Sequence, residues 1–425
     1  MPSVTPTDSS WVTVETVTRD LAEFKVVEGN ASRSQAIAVG TASLQLTQNA
    51  PTPALSFVPV MPCRVADTRN AAGPEGGPSL TGGVSRDFAI GGSACGIPAT
   101  AQAYSLNVTV VPHGELNFLT VWPSHQVQPE VPTMSSPDGR VKGNSIIVPT
   151  GANGAVSVYA TGATDLVLDI NGYFTAASDA SALSFYPLAP CRVADTRNAN
   201  GMLGGPYLSS GGTRDFPILS SACNIPASAR AYSLNFAAVP RGELGYLTAW
   251  PAGGSMPLAA TLSALTGTVT ANAAIVRAGP GGDIDVFTSN DTDLVIDIDG
   301  YLAPPAPGGL SLYVLPPCRV LDTRNPSGAP PTGGTQVVSL TAGFCGVPTN
   351  LRAAILNATV LPSGPLGYLT LWPDGEPQPV VATLNALDGA TTSNMALVPT
   401  INGSIDAFTT NPTYLLLDIY GWFGE

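Results

Sequence analysis

Apolar and polar residues alternate along this chain in short runs. Around residues 165–174, Leu166, Leu168 and Ile170 fall on one face of an extended strand while Val167, Asp169 and Asn171 fall on the other. Comparable runs lie at 57–60, 63–68, 85–90, 103–111, 118–122, 145–149 and 155–160, with Gly, Pro and Asn between them and no helical stretch. Eight or so strands at this spacing predict an antiparallel sandwich, jelly-roll-like in its connections.

The pattern is written three times. Cys63-Arg64-Val65-Ala66-Asp67-Thr68-Arg69 returns as Cys191-Arg192-Val193-Ala194-Asp195-Thr196-Arg197 and again as Cys318-Arg319-Val320-Leu321-Asp322-Thr323-Arg324, at intervals of 128 and 127 residues. Such a period is a whole domain and not a solenoid repeat. Each copy continues with a second cysteine (Cys95, Cys223, Cys345), a Leu-Asn pair (Asn107, Asn235, Asn357) and Leu-Thr-x-Trp-Pro with Trp122, Trp250 and Trp372. An Asn then opens an apolar run (Asn144, Asn272, Asn394), and Asp-Ile-x-Gly-aromatic follows at Asp169, Asp297 and Asp418. The expected organisation is all-β: three tandem antiparallel β-sandwich domains at 55–176, 183–303 and 310–425, behind an N-terminal strand-rich extension, residues 1–54. Linkers of about ten residues leave open both a rod and a compact trio.

The extension has strand-like runs but none of the landmarks. Ala36 to Thr41 followed by Leu44 to Leu46 echoes Ala155 to Ala160 followed by Leu166 to Leu168, which reads as the closing strands of a unit whose first half is absent. Strands of that kind need a partner for their edges.

Composition narrows the function classes. With 45 Gly, 40 Pro and only 11% charged residues, the chain suits many turns and few amphipathic helices. The net charge is −13, and Lys25 and Lys142 are the only lysines, which argues against nucleic acid. No apolar run approaches the roughly 20 residues of a membrane span. Two cysteines per repeat predict the bridges Cys63–Cys95, Cys191–Cys223 and Cys318–Cys345, hence an oxidising compartment and an extracellular or cell-surface protein. Met1 is followed by Pro2 and polar residues without the pattern of a signal peptide, so a presequence is missing from this chain or export takes another route.

The ordered motifs Cys-Arg-Val-x-Asp-Thr-Arg, Leu-Asn-Val-Thr, Leu-Thr-Val-Trp-Pro and Asp-Ile-Asn-Gly-Tyr-Phe resemble a repeat domain of large secreted and cell-surface bacterial proteins, especially of actinobacteria and relatives. The resemblance covers about residues 57–423 and implies an extracellular β-rich module without established catalysis. It supplies no functional residues. The second repeat departs from it at Asn235-Phe236-Ala237, the third at Tyr414 and Tyr420.

Candidate chemistry is sparse. The acids Asp67, Asp195 and Asp322 and the arginines Arg64, Arg69, Arg192, Arg197, Arg319 and Arg324 read as a structural charge clamp, each closing acid (Asp169, Asp297, Asp418) held by an arginine of its own repeat. Asp297-Ile298-Asp299-Gly300 resembles the start of a calcium loop but lacks the further oxygen ligands, so no metal and no cofactor are expected. Trp122, Trp250 and Trp372 are candidate stacking platforms for sugars, since alternation puts each on the face opposite Leu119 and Val121 or their equivalents, although a single tryptophan per sandwich is more often a packing residue. Only His113 and His125 exist, and Glu115 and Glu243 have no counterpart at Pro365, so an enzyme is the least supported class. The expected function is a self-assembling extracellular structural protein that adds strands of the extension to another copy, forming a filament. The runner-up is a multivalent adhesin, its partners surface glycans or other cell-surface proteins.

Overall fold

The computed structural model describes residues 52–325 and 331–425, and positions 4–6, 9–10, 12–17, 22–26, 33–39 and 42–48 before them. Two units result, residues 1–53 and 54–425.

Alternation became strands where it was expected. The first repeat runs Leu55–Asp67, Ser85–Ala89, Ala103–Pro112, Leu116–Pro123, Met134–Ser136, Lys142–Pro149, Ala155–Ala160 and Thr164–Ala176. The runs at 57–60 and 63–68 are a single strand, and the three-residue Met134–Ser136 was too short to leave a pattern. One sheet has the order Lys142–Pro149, Ala103–Pro112, Thr164–Ala176, Leu55–Asp67; the other has Met134–Ser136, Leu116–Pro123, Ala155–Ala160, Ser85–Ala89. The pairings are antiparallel, and Leu166, Leu168 and Ile170 lie fully buried between the sheets. The second and third repeats keep this arrangement. In the third, the last two strands fuse into Ser404–Gly424, which pairs in both sheets.

The N-terminal unit corrects one expectation. Its strands pair with each other, Val4–Pro6, Arg33–Val39 and Ala42–Gln48 in a three-stranded sheet and Val12–Val17 with Ala22–Val26 in a hairpin. The echo of a repeat's ending does not hold either. Val39 pairs with Ala42 within one sheet, whereas Ala155–Ala160 and Thr164–Ala176 belong to different sheets of the first repeat.

The three repeats form a closed ring and not a rod. Phe57 exchanges backbone hydrogen bonds with Leu183 (2.9 and 2.7 Å), Phe185 does so with Leu310 (3.0 and 2.8 Å), and Leu312 pairs with Leu55. The same position of each opening strand thus meets its neighbour around a pseudo-threefold axis. Strands Lys142–Pro149, Thr270–Arg277 and Thr392–Pro399 meet pairwise along that axis. Their side chains Ile147, Ile275 and Leu397 join one apolar cluster with Phe57, Phe185 and Phe423. Phe185 and Phe423 have ring centroids 4.4 Å apart.

This closure explains the glycine of the ending motif. A Cβ on Gly172 would stand 2.0 Å from the Phe57 ring, and one on Gly300 would stand 2.5 Å from the Phe185 ring. The opening strand lays its aromatic ring directly on the closing strand, and only glycine leaves room. It also explains why Val167 and Asp169, on the strand face opposite the core, are buried as well. A neighbouring repeat covers that face.

Candidate functional site

The recurrent residues meet where the repeats join. Disulfides link Cys63–Cys95, Cys191–Cys223 and Cys318–Cys345, with Cα atoms 5.8, 5.8 and 5.6 Å apart. Each ties the opening strand to the loop after the edge strand of the other sheet, so both sheets are stapled at one end.

Beside each disulfide lies the clamp. Arg64 forks onto Asp169, Nε to Oδ1 and Nη2 to Oδ2, and its Nη1 reaches Asp67 at 2.9 Å. Asp67 in turn receives Arg69 through Nε at 2.8 Å and Nη2 at 2.6 Å. The second repeat repeats this with Arg192, Asp297, Asp195 and Arg197, the third with Arg319, Asp418, Asp322 and Arg324. Every acid lies on a strand or its end, and each Arg–closing acid pair sits at a β-bulge, which turns both side chains to one face. Burial pushes the carboxyls of Asp169, Asp297 and Asp418 up, and the arginine forks oppose it. Burial is the largest influence on Asp67 and Asp195 too and raises them, but the hydrogen bonds to Arg69 and Arg197 together with the charges of both arginines in each clamp outweigh it and hold both below the usual carboxylate range. Arg324 holds Asp322 lowest, down to about 2.

In the first two repeats a second bonded set joins the closing strand to its neighbours. Thr68 Oγ1 donates to Asp165 at 2.8 Å, and Asp165 meets His113 Nε2 at 2.8 Å. In the second repeat Thr196, Asp293 and Arg241 make the same chain. In the third, Tyr414 replaces the acid and Ser363 replaces the cation together. This accounts for one of that repeat's departures, since a carboxylate without its cation would be a poor trade.

The clamp acids reach across the ring. Ala260 N donates to Asp169 Oδ2 at 3.0 Å, and Ala382 N donates to Asp297 Oδ2 at 3.2 Å. The matching residue for Asp418 is Pro132, which has no N–H; there Tyr420 extends its hydroxyl to Pro132 O at 3.4 Å. The other departure of the third repeat is thereby placed.

Two asparagines per repeat complete each joint. Asn272 Nδ2 donates to Asn107 Oδ1 (2.8 Å), Asn394 to Asn235 (2.9 Å) and Asn144 to Asn357 (2.9 Å). Their Oδ1 atoms accept the backbone N–H of Ser145, Ala273 and Met395, each in a different repeat from the acceptor. Asn107, Asn235 and Asn357 also donate to the carbonyls of Ala260, Ala382 and Pro132. All six are buried. Sequence reasoning met these asparagines as landmarks and gave them no role. The available signal was an amide recurring within an apolar strand, where it must find a partner.

Of the two readings of the tryptophans, packing holds and the ligand-facing one is corrected. Trp122, Trp250 and Trp372 are only 5, 3 and 3% exposed, and their Nε1 atoms donate to the carbonyls of Gln126, Gly254 and Glu376. The turn after each Trp-Pro folds back over the ring, which strand alternation alone did not predict. None offers a face to a sugar. Among the described residues, no three or more His, Cys, Asp or Glu are grouped as a metal would require. Among the described residues, no helix is long and apolar enough to cross a membrane.

No protein-family model matches this chain, and no curated protein matches it.

Proposed function

We propose that this is an extracellular structural protein that assembles with copies of itself, the three-repeat ring acting as a rigid body and the N-terminal unit as the connector. One observation carries the reading. The residues that recur in all three repeats, namely the cysteines, the clamp, the asparagine pairs and the tryptophans, are spent on bonds inside the ring, so the recurrence maintains a shape. Disulfides fit an oxidising compartment, hence export. The means of assembly is strand addition at the outer strands of the N-terminal sheet, Val4–Pro6 and Ala42–Gln48, each of which pairs with Arg33–Val39 on one side. An edge that meets a different surface on the next copy makes a heterologous contact, and such contacts grow open filaments when the rotation does not close.

The test is removal of residues 1–54. Light scattering and electron microscopy should show filaments for the full chain and single particles for the truncated one. A full chain that stays monomeric at high concentration, or a truncated chain that assembles equally well, overturns the proposal.

A further inference from the structure

The ring is nearly threefold in what holds it together and departs from threefold symmetry at one end of its axis. There the same loop of each repeat turns at a glycine with positive φ (Gly139, Gly267, Gly389) and leads into a strand at the axis. The three loops surround a pocket of about 190 Å³. The asparagines just beyond, Asn144, Asn272 and Asn394, are the same in all three. The residues facing the pocket differ: Arg140 and Lys142 in the first loop stand where the second has Thr268 and Thr270 and the third has Ala390 and Thr392.

The charges at this pocket are paired, and one pair joins two repeats. Arg140 bonds Asp388 of the third repeat through Nη1 and lies 3.3 Å from Asp138 through Nε. Lys142 Nζ lies 3.3 Å from Asp138 and donates to Thr391 O of the third repeat at 2.9 Å. Arg140, Lys142 and Asp388 line the pocket, and Asp138, paired with both cations, brings the group to neutrality, so the site offers donors and acceptors without net charge. The second repeat adds the hydroxyls of Thr266, Thr268 and Thr270. Met134, Val141, Ala264 and Val269 supply an apolar wall.

A site with this balance suits a ligand whose polar groups both donate and accept and whose body presents C–H bonds. A sugar ring has that chemistry, since every hydroxyl donates once and accepts twice. We propose that the axial pocket binds one neutral monosaccharide unit, the tip of a surface glycan. The volume sets the size. It falls below the roughly 300–1,000 Å³ of pockets for drug-sized ligands, so it admits one ring and not a length of chain. Charge sets the class. A neutral quartet on a protein of net charge −13 has no excess field to draw in an anion. This goes beyond the structural role, which needs nothing at that end of the axis.

The experiment titrates the full-length protein with glucose, galactose, mannose, rhamnose and N-acetylglucosamine, read by ligand-observed NMR and calorimetry. At least one should bind saturably. Thr268→Tyr and, separately, Thr270→Tyr place a ring in the pocket and should weaken that binding at least about tenfold with the melting temperature unchanged. Failure of every sugar to saturate, or equal binding by both variants, overturns the site. Glucuronate or inorganic sulfate binding more tightly than the neutral sugars overturns the ligand class.

Discussion

The side-chain amide of Asn394 donates to the side-chain oxygen of Asn235 across 2.9 Å, so a residue of the third repeat is held by one of the second. The pair is closed on all sides: Asn394 also donates to Thr383 O and accepts from Ala273 N, while Asn235 donates to Ala382 O. Such a set stabilises little over water while complete, yet costs heavily when broken, because each orphaned group stays buried.

Asn272→Ala is the sharpest test of that asymmetry. It removes the partner of Asn107 Oδ1, Thr261 O and Ser145 N together, at a site 1% exposed. We expect a loss of about 2–4 kcal/mol in denaturant unfolding. A loss under about 0.5 kcal/mol, the usual effect of a surface change, would mean that water replaces the amide.

The clamp separates into a buried and an exposed part. Arg192→Met strands the Asp297 carboxylate, 2% exposed, and should cost about 3–5 kcal/mol. Arg197→Ala removes a guanidinium whose side chain is 49% exposed and should cost under about 1 kcal/mol. Urea titration of the two variants should show this order; equal losses would mean that the outer arginine, and not the pair within the bulge, fixes the strands.

The bonds within one repeat were legible in the sequence because both partners recur at the same spacing. Cys63 with Cys95 and Arg64 with Asp169 are such pairs. The ring was not legible, because the partner of Asn107 is Asn272, in the next copy, and recurrence at equal intervals looks the same whether a residue bonds within its repeat or to a neighbour. For Trp122 the residue type favoured packing, while strand alternation alone left its face open. Its cover comes from the turn after its own strand, Gln126 accepting its indole N–H, and a two-sided strand pattern carries no term for a loop that returns.

Acid and alkaline stability should have separate origins. Asp67, Asp195 and Asp322 have folded pKa values below their unfolded ones, so their contribution is present above about pH 4 and is lost as pH falls toward 2. Asp299 works the other way. Burial and the neighbouring Asp297 carboxylate push it up to about 8, so the unfolded chain releases its proton first and stability falls as pH rises from about 4 to 8. Asparagine stands at the matching place in the first repeat, Asn171. Asp299→Asn should therefore raise the melting temperature by roughly 2–5 °C at pH 8 and leave it unchanged at pH 4. The same shift at both pH values would rule out titration as the cause.

The ring should survive without its linkers. Residues 177–181 and 304–308, which connect the repeats, are mostly exposed, and no disulfide crosses from one repeat to another. Cutting both turns an intramolecular contact into an intermolecular one and forfeits an effective concentration of order millimolar. To hold at micromolar protein, each piece then needs about −8 kcal/mol of association energy. Each piece has two joints, and every joint brings a backbone bridge at the axis, a share of the apolar cluster and a complete asparagine set. With protease sites placed in both linkers, the cleaved protein should elute as one species of unchanged size and separate into three only under denaturing, non-reducing conditions. Adding Asn272→Ala should release a piece from the cleaved ring at concentrations where the uncut ring stays closed. Separation of the three pieces in native buffer without that substitution would show that the linkers, and not the joints, keep the repeats together.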